Sequence, residues 1–203
     1  MKIDLFNPKS PISRIFVILF DIFTLSMFWF LTSIPVLTTG LAYTGVYYAV
    51  DRSIFNDDEK TATNFVKSVK ENFKQGIIVD LIVLIILLFI LWSMYISYQM
   101  ASADVLMGKV IFAFGAVILF LYLGYISYLF PTLALYKYST RDLFDTCFKL
   151  SIMHLPTTIL LALLLAFSLY ICYHYWVCLF FMPALLAIID HLLLTRIYKI
   201  HSN

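Results

Sequence analysis

Apolar residues in this chain gather in long, nearly uninterrupted blocks that are separated by short polar stretches. The five clearest blocks lie at 15–34, 76–98, 110–136, 153–173 and 176–198. A helix needs about 20 apolar residues to cross the hydrocarbon core of a bilayer, and each block reaches that length. The pattern predicts an all-α polytopic membrane protein in which residues 1–203 form a single integral membrane domain.

One further segment, 38–56, leaves the number of crossings at five or six, because it ends in charged residues. Lys and Arg of short loops collect on the cytoplasmic side of a membrane. Six crossings with both termini in the cytoplasm put thirteen of the fourteen basic residues on that side and leave only Lys109 outside. Five crossings move the N-terminus and its three basic residues outside. The charge distribution therefore favours six transmembrane helices.

Three prolines are candidates for turning or bending the chain. Pro35 is predicted to lie in a tight outer turn, where Thr38 or Thr39 is available to cap the second helix. Pro131 and Pro183 fall inside predicted spans, where proline frees a backbone carbonyl and bends the helix. Such a bend can gate a pathway, or neighbouring helices can simply pack around it.

Two cytoplasmic segments, 61–75 and 139–151, have the pattern of amphipathic helices that lie along the membrane surface. Ser139 and Asp142 have the spacing of a capping box for the second of them. The apolar side chains on the two faces are Phe65, Val69, Phe73, Phe144 and Phe148. They form the candidate partner surface, because these helices are the only sizeable structured groups predicted outside the bilayer. The alternative is that they rest on lipid.

Three acidic residues lie inside predicted spans, where an ionisable group needs a partner or a role. Helical rise places all three in the cytoplasmic half of the membrane, so they can form one layer. With an adjacent histidine, this candidate intramembrane polar layer comprises Asp21, Asp80, Asp190 and His191. We interpret it as a cytoplasm-facing cavity for a cation, a proton or the hydroxyls of a small solute. The alternative is pairing with Arg14, Arg196 or Lys74, which fixes helix register.

Composition and motif spacing indicate a non-enzymatic protein. The net charge is only +2 and forms no basic patch, so no nucleic-acid partner is expected. The sequence contains no HExxH, GxSxG or P-loop motif, and its four histidines and three cysteines lack metal-ligand spacing. We therefore expect no catalytic residues, no cofactor and no metal site, and the lipid bilayer as the surrounding medium.

Several short strings in the first third of the chain have the pattern of a known family. They are Leu5-Phe6-Asn7-Pro8 with Ser10-Pro11, Asp21, Ile34-Pro35-Val36-Leu37-Thr38-Thr39-Gly40, Asn64-Phe65 and Glu71-Asn72-Phe73-Lys74-Gln75. On these strings the chain resembles the YesL-like family of bacterial integral membrane proteins, whose function is unassigned. Members of that family are often encoded beside genes for carbohydrate uptake, commonly of the ABC type.

The resemblance implies an accessory or regulatory role in carbohydrate uptake, with sugar ABC transporter subunits as partners and the bacterial cytoplasmic membrane as location. One alternative is a small autonomous transporter that uses the cytoplasm-facing acidic layer. Another is a membrane-stress or assembly factor that handles no solute. The substitution Asp80→Asn is expected to abolish flux in a transporter and to leave partner binding intact in an accessory protein.

Overall fold

The computed structural model describes residues 11–58 and 60–201, with side chains from Arg14 to Tyr198 apart from residue 59. The described part consists of helices and short turns. Its α-helices are α1 (Pro11–Thr32), α2 (Thr39–Val50), α3 (Thr61–Ser102), α4 (Leu106–Leu135), α5 (Thr140–Met153), α6 (Leu155–His174) and α7 (Met182–His201). The string 5–8 and the side chains of Lys2, Lys9 and Lys199 lie outside the described residues.

Within the part of the chain that the structure describes, four helical segments are long and apolar enough to cross a membrane, judged by length and composition: Arg14–Thr32, Thr61–Ser102, Leu106–Leu135 and Leu155–His174. The predicted all-α membrane class is thus confirmed at this level. Helix α2 has 12 residues, or about 18 Å of rise, against a hydrocarbon core of about 30 Å. It is extended by a 3-10 turn at Val36–Thr38 and a π-helix at Asp51–Phe55.

Helix α3 is a single helix of 42 residues. It joins the predicted surface helix at 61–75 to the predicted span at 76–98, so the prediction of a separate surface helix is corrected. Gly76 marks the junction, but it does not break the helix, and Leu41 of α2 packs against it. At 1.5 Å per residue α3 is about 63 Å long, roughly twice the thickness of the hydrocarbon core.

Helix α5 is a separate amphipathic helix, and the Ser139 half of its predicted capping box is confirmed. The Ser139 hydroxyl donates to the Asp142 carboxylate at 2.6 Å and accepts the Asp142 backbone N–H at 3.3 Å. This contact satisfies one of the unpaired amides of the first turn. His154 leaves the helical conformation, and Pro156 is the second residue of α6, in the first turn where a missing backbone N–H costs nothing.

The core lies where α1, α2 and α7 pack against the first half of α3 and the second half of α4. Its fully buried side chains include Leu25, Val46, Tyr47, Val79, Tyr128, Leu133 and Leu194. Beyond Val83 only Ser97 of α3 is buried, and before Gly124 only Gly108 of α4 is buried. The far half of α3 and α4 is therefore a two-helix hairpin with outward apolar side chains, a surface suited to lipid.

Candidate functional site

A cavity of about 200 Å³ lies between α1, α2, α4, α6 and α7, beside the connection from α6 to α7. Its walls are mostly apolar and include Trp29, Tyr43, Phe130, Leu165, Leu169, Met182 and Leu186. A few polar side chains reach it, among them Ser127, Ser168 and Asp190. The combination of an apolar wall and a few polar groups is typical of a small-molecule site.

Asp190 of α7 is the acidic residue that lines this cavity, and it is only 1% exposed. The Tyr43 hydroxyl donates a hydrogen bond of 2.5 Å to its Oδ2 atom. Its Oδ1 atom has no hydrogen-bond partner among the described residues. Helix α7 approaches α1 closely through the small Ala184, whose backbone N–H donates to the Ser26 hydroxyl. This close approach holds Asp190 inside the bundle.

His191 points toward α2 rather than into the cavity wall. Its Nδ1 atom lies 3.6 Å from Oδ1 of Asp51, and its ring stacks on Phe55 with a centroid distance of 4.0 Å. Asp51 and Phe55 are the two ends of the π-helix that continues α2. The wider π turn lets both residues meet one imidazole ring, and such turns are frequent at functional sites.

Asp80 has a structural partner instead of a place in the cavity. Its two carboxylate oxygens accept the backbone N–H groups of Gly40 at 3.0 Å and Leu41 at 2.9 Å. These amides belong to the first turn of α2, so Asp80 caps that helix from α3. The predicted cap by Thr38 or Thr39 is wrong, because the Thr38 hydroxyl donates to the carbonyls of Thr32 and Pro35 and the Thr39 hydroxyl donates to the carbonyl of Val36.

Asp21 is half-buried on α1 and interacts with the Thr61 hydroxyl at the start of α3. The three predicted acids therefore have three different partners, and among the described residues no hydrogen bond or ion pair connects them. The alternative pairing with Arg14 is not seen either, because its guanidinium lies 2.9 Å from the Asp57 carboxylate. The polar layer separates into a cavity acid and two acids that fix helix positions.

The prolines also have different roles. Pro35 lies in the turn between α1 and α2, as predicted, and Pro131 is inside α4. Pro183 is the second residue of α7, where it lies in the first turn, so the predicted bend at this position is corrected. Pro183 instead lines the cavity beside Met182.

The candidate partner surface is only partly exposed. Phe65 is 2% exposed and stacks on Phe28 of α1, so it is a core residue and its assignment to a surface is corrected. The cause is the continuity of α3, which carries Phe65 into contact with α1 and α2. Val69 and Phe144 are partly buried against the same core. Phe73 and Phe148 remain exposed, at 50% and 59%.

Two residues that contact the predicted polar residues were not themselves predicted from the sequence: Tyr43, which bonds to Asp190, and Asp51, which faces His191. Asp51 carried a visible signal, because it is a charge at the end of an otherwise apolar segment. Tyr43 could not be recognised from the sequence, because it is one of fourteen tyrosines in a chain rich in aromatic residues. Its role depends on α7, which is distant in sequence.

Comparison with curated proteins gives no match, and comparison with solved structures gives none either. The family described as a protein of unknown function, DUF624, matches residues 22–94. This segment runs from α1 through α2 into the far half of α3. It includes both sides of the contact between Gly40 and Asp80, so this chain is similar to DUF624 proteins over the part that positions α2.

Proposed function

We propose that this chain is a YesL-like protein that acts as a non-enzymatic accessory or regulatory component of ABC-type carbohydrate uptake in the bacterial cytoplasmic membrane. The DUF624 match supports the YesL-like part of this proposal, because it spans the strings at 34–40, 64–65 and 71–75. The role in carbohydrate uptake follows from what the resemblance implies. Within those strings, Gly40 and Asn64 make contacts between or next to helices. The residues of the resemblance thus build a framework, which fits a protein that acts through its surface.

The same proposal includes six crossings with both termini in the cytoplasm. It is supported by two turns that lie together, one between α1 and α2 and one between α6 and α7. The rings of Phe30 and Phe180, one from each region, have centroids 5.8 Å apart. Each turn thus reverses the chain near the C-terminal end of α1. Two adjacent hairpins of this kind bring α2 and α7 back toward the cytoplasm.

The partner surface in this proposal is smaller than the sequence suggested. It comprises the exposed side chains of Phe148 and Ile152 on α5 and of Phe73 on α3. The two helices are linked at this end, because the Gln75 side chain donates to the Tyr138 carbonyl at 3.0 Å. Apolar side chains of this size are the usual anchors of a protein interface.

Affinity purification of the tagged chain from its native membrane in mild detergent, with mass spectrometry of what co-elutes, tests this function. We expect permease or ATPase subunits of a sugar importer in near-stoichiometric amount. The substitution Phe148→Ser should lower their yield, whereas Phe167→Ser, on the similarly exposed face of α6, should not. Elution of the chain alone, at every detergent concentration that keeps it folded, would contradict the accessory role.

A small autonomous transporter is a second candidate, and the cavity at Asp190 favours it. In the proposed topology this cavity lies beside the two outer turns, so it is not the cytoplasm-facing acidic layer that the sequence suggested. The substitution Asp80→Asn no longer separates the two candidates, because Asp80 holds the first turn of α2 and its loss would weaken the fold. Asp190→Asn is the better test. In reconstituted vesicles a transporter should lose flux with this substitution, while co-elution with importer subunits should be unchanged in an accessory protein.

A further inference from the structure

We propose that the cavity beside Asp190 binds a small organic cation, whose ammonium group meets the carboxylate and whose apolar body fills the remaining space. This assignment goes beyond the accessory role and names the ligand class for the second candidate. It does not depend on transport, because a site can bind its ligand without moving it across the membrane.

The buried carboxylate of Asp190 lacks a charged partner within the described part of the chain. Asp190 is 1% exposed, and the ion pairs of the described residues do not include it. Tyr43 supplies one hydrogen bond to Oδ2, and Oδ1 receives none. The neighbouring His191 faces Asp51 instead. Buried charges in proteins are paired, so a cationic ligand would complete the interactions that the chain leaves open.

Aromatic side chains line the cavity around this carboxylate. The side chains of Trp29, Tyr43 and Phe130 border the same cavity as Asp190. Aromatic rings attract a cation that lies near their faces, and this attraction strengthens where water is excluded. Carboxylate and aromatic rings together are the usual recognition elements for ammonium groups.

The size and polarity of the cavity also fit a small organic cation. The cavity of about 200 Å³ exceeds the roughly 150 Å³ that holds a benzene molecule in an engineered protein cavity. A sugar of similar size would bring several hydroxyl groups that each need a partner. The Ser127 and Thr39 hydroxyls at the wall already donate to carbonyls near them. The wall therefore suits an apolar body with a single charged group better than a carbohydrate.

The first experiment uses the full chain in detergent micelles or nanodiscs and needs no variant. Binding of 2-phenylethylammonium is compared with binding of its neutral analogue 2-phenylethanol and of glucose, by tryptophan fluorescence and by thermal stabilisation. We expect saturable binding of the cation, at least about tenfold tighter than that of the alcohol, the ratio that one charge-assisted contact supplies. Equal affinities for cation and alcohol, or no saturable binding of the cation, would overturn the proposal.

Two substitutions then locate the site. Asp190→Asn removes the charge and keeps the shape, so the cation should bind at least about tenfold more weakly while the alcohol is little affected. Ser168→Phe keeps the Asp190 carboxylate but fills the cavity with a larger side chain, so neither the cation nor the alcohol should bind. This variant tests the location of the site even if Asp190→Asn does not fold. Asp145→Asn, an exposed acid on α5, is the control. Unchanged cation binding in Ser168→Phe would refute the assignment.

These outcomes are separate from those of the functional proposals. Cation binding without flux in vesicles would contradict the transporter hypothesis and support the cation site. Co-elution of importer subunits without cation binding would support the accessory role and contradict the cation site.

Discussion

Single residues decide how closely the helices approach, and Gly40 is the tightest example. A Cβ atom added at this position would lie 2.0 Å from Cζ of Phe130 and 2.3 Å from Oδ1 of Asp80. Gly40→Ala must therefore displace a core ring and the acid that caps α2. We expect a loss of about 1–3 kcal/mol of stability, measured as a lower unfolding temperature of the purified chain in detergent.

Gly115→Ala on α4 is the matched control for Gly40→Ala. There the new Cβ would meet only the flexible Met94 side chain, at 3.0 Å from its Cγ atom. A small adjustment of the methionine relieves that contact. If the two substitutions lowered the unfolding temperature equally, the close contact at Gly40 would not be present in the folded protein.

At the residue scale, the sequence predicted the buried acidic residues better than it predicted their hydrogen-bond partners. Asp80 and Asp190 were identifiable as charges within apolar segments, because their burial is costly without compensation. Their partners could not be predicted, because Asp80 bonds to amides 39 and 40 residues away and Asp190 bonds to a tyrosine 147 residues away. Hydropathy has no information on such pairings, which depend on how the helices are arranged.

At the scale of elements, the continuity of α3 can be measured as a distance. Spin labels at Lys67→Cys and Ser93→Cys, in a background without the native cysteines, lie 26 residues apart on exposed positions. A continuous helix gives a separation of about 39 Å, whereas a right-angled bend at Gly76 gives about 29 Å. Electron paramagnetic resonance in nanodiscs should give the longer distance. The shorter distance would instead support a separate surface helix at 61–75.

Hydrogen bonds at the start of α3 are expected to change the pKa of Asp58. The Asp58 carboxylate accepts hydrogen bonds from the Asn64 side chain at 3.1 Å and from the Lys60 backbone N–H at 3.2 Å. These bonds favour the charged form, so the pKa of Asp58 lies below its usual value. The associated stability is present above the usual carboxyl pKa and is lost as the pH falls through the lowered value.

The effect is measurable by carbon NMR of labelled aspartate in micelles. Asn64→Ala removes the larger contribution, so the pKa of Asp58 should rise toward its usual value. Asn72→Ala, whose side chain bonds to the Ser68 carbonyl instead, should leave the pKa of Asp58 as it is. An unchanged titration in Asn64→Ala would show that the contact between the two side chains is absent in solution.

Elements were predictable where hydropathy or capping marks them and not where two helical patterns meet. The long apolar blocks and the capping box at Ser139 predicted α1, α4, α5 and α6 closely, because each boundary has its own chemical signal. The junction within α3 has none, since Gly76 alone does not interrupt a helix whose neighbour packs against it. Periodicity predicted the helix there and missed its continuity.

At the scale of the whole molecule, charge and geometry give different information about topology. The basic residues favour six crossings, and the described residues contain four segments that are long and apolar enough to cross a membrane. Helices α2 and α7 are the two additional crossings of the proposal, and α2 is short. The number of crossings therefore depends on the side of the membrane on which the turn at 33–35 lies.

Labelling of single cysteines in intact cells tests this topology directly. In a background without native cysteines, Ile34→Cys, Lys60→Cys and Asp104→Cys place an exposed thiol in three different loops. Six crossings with cytoplasmic termini predict that a membrane-impermeant maleimide labels positions 34 and 104 from outside, and position 60 only after permeabilisation. Protection of position 34 until the cells are permeabilised, with position 104 still labelled, would contradict six crossings and with them the proposed arrangement of α1 and α2.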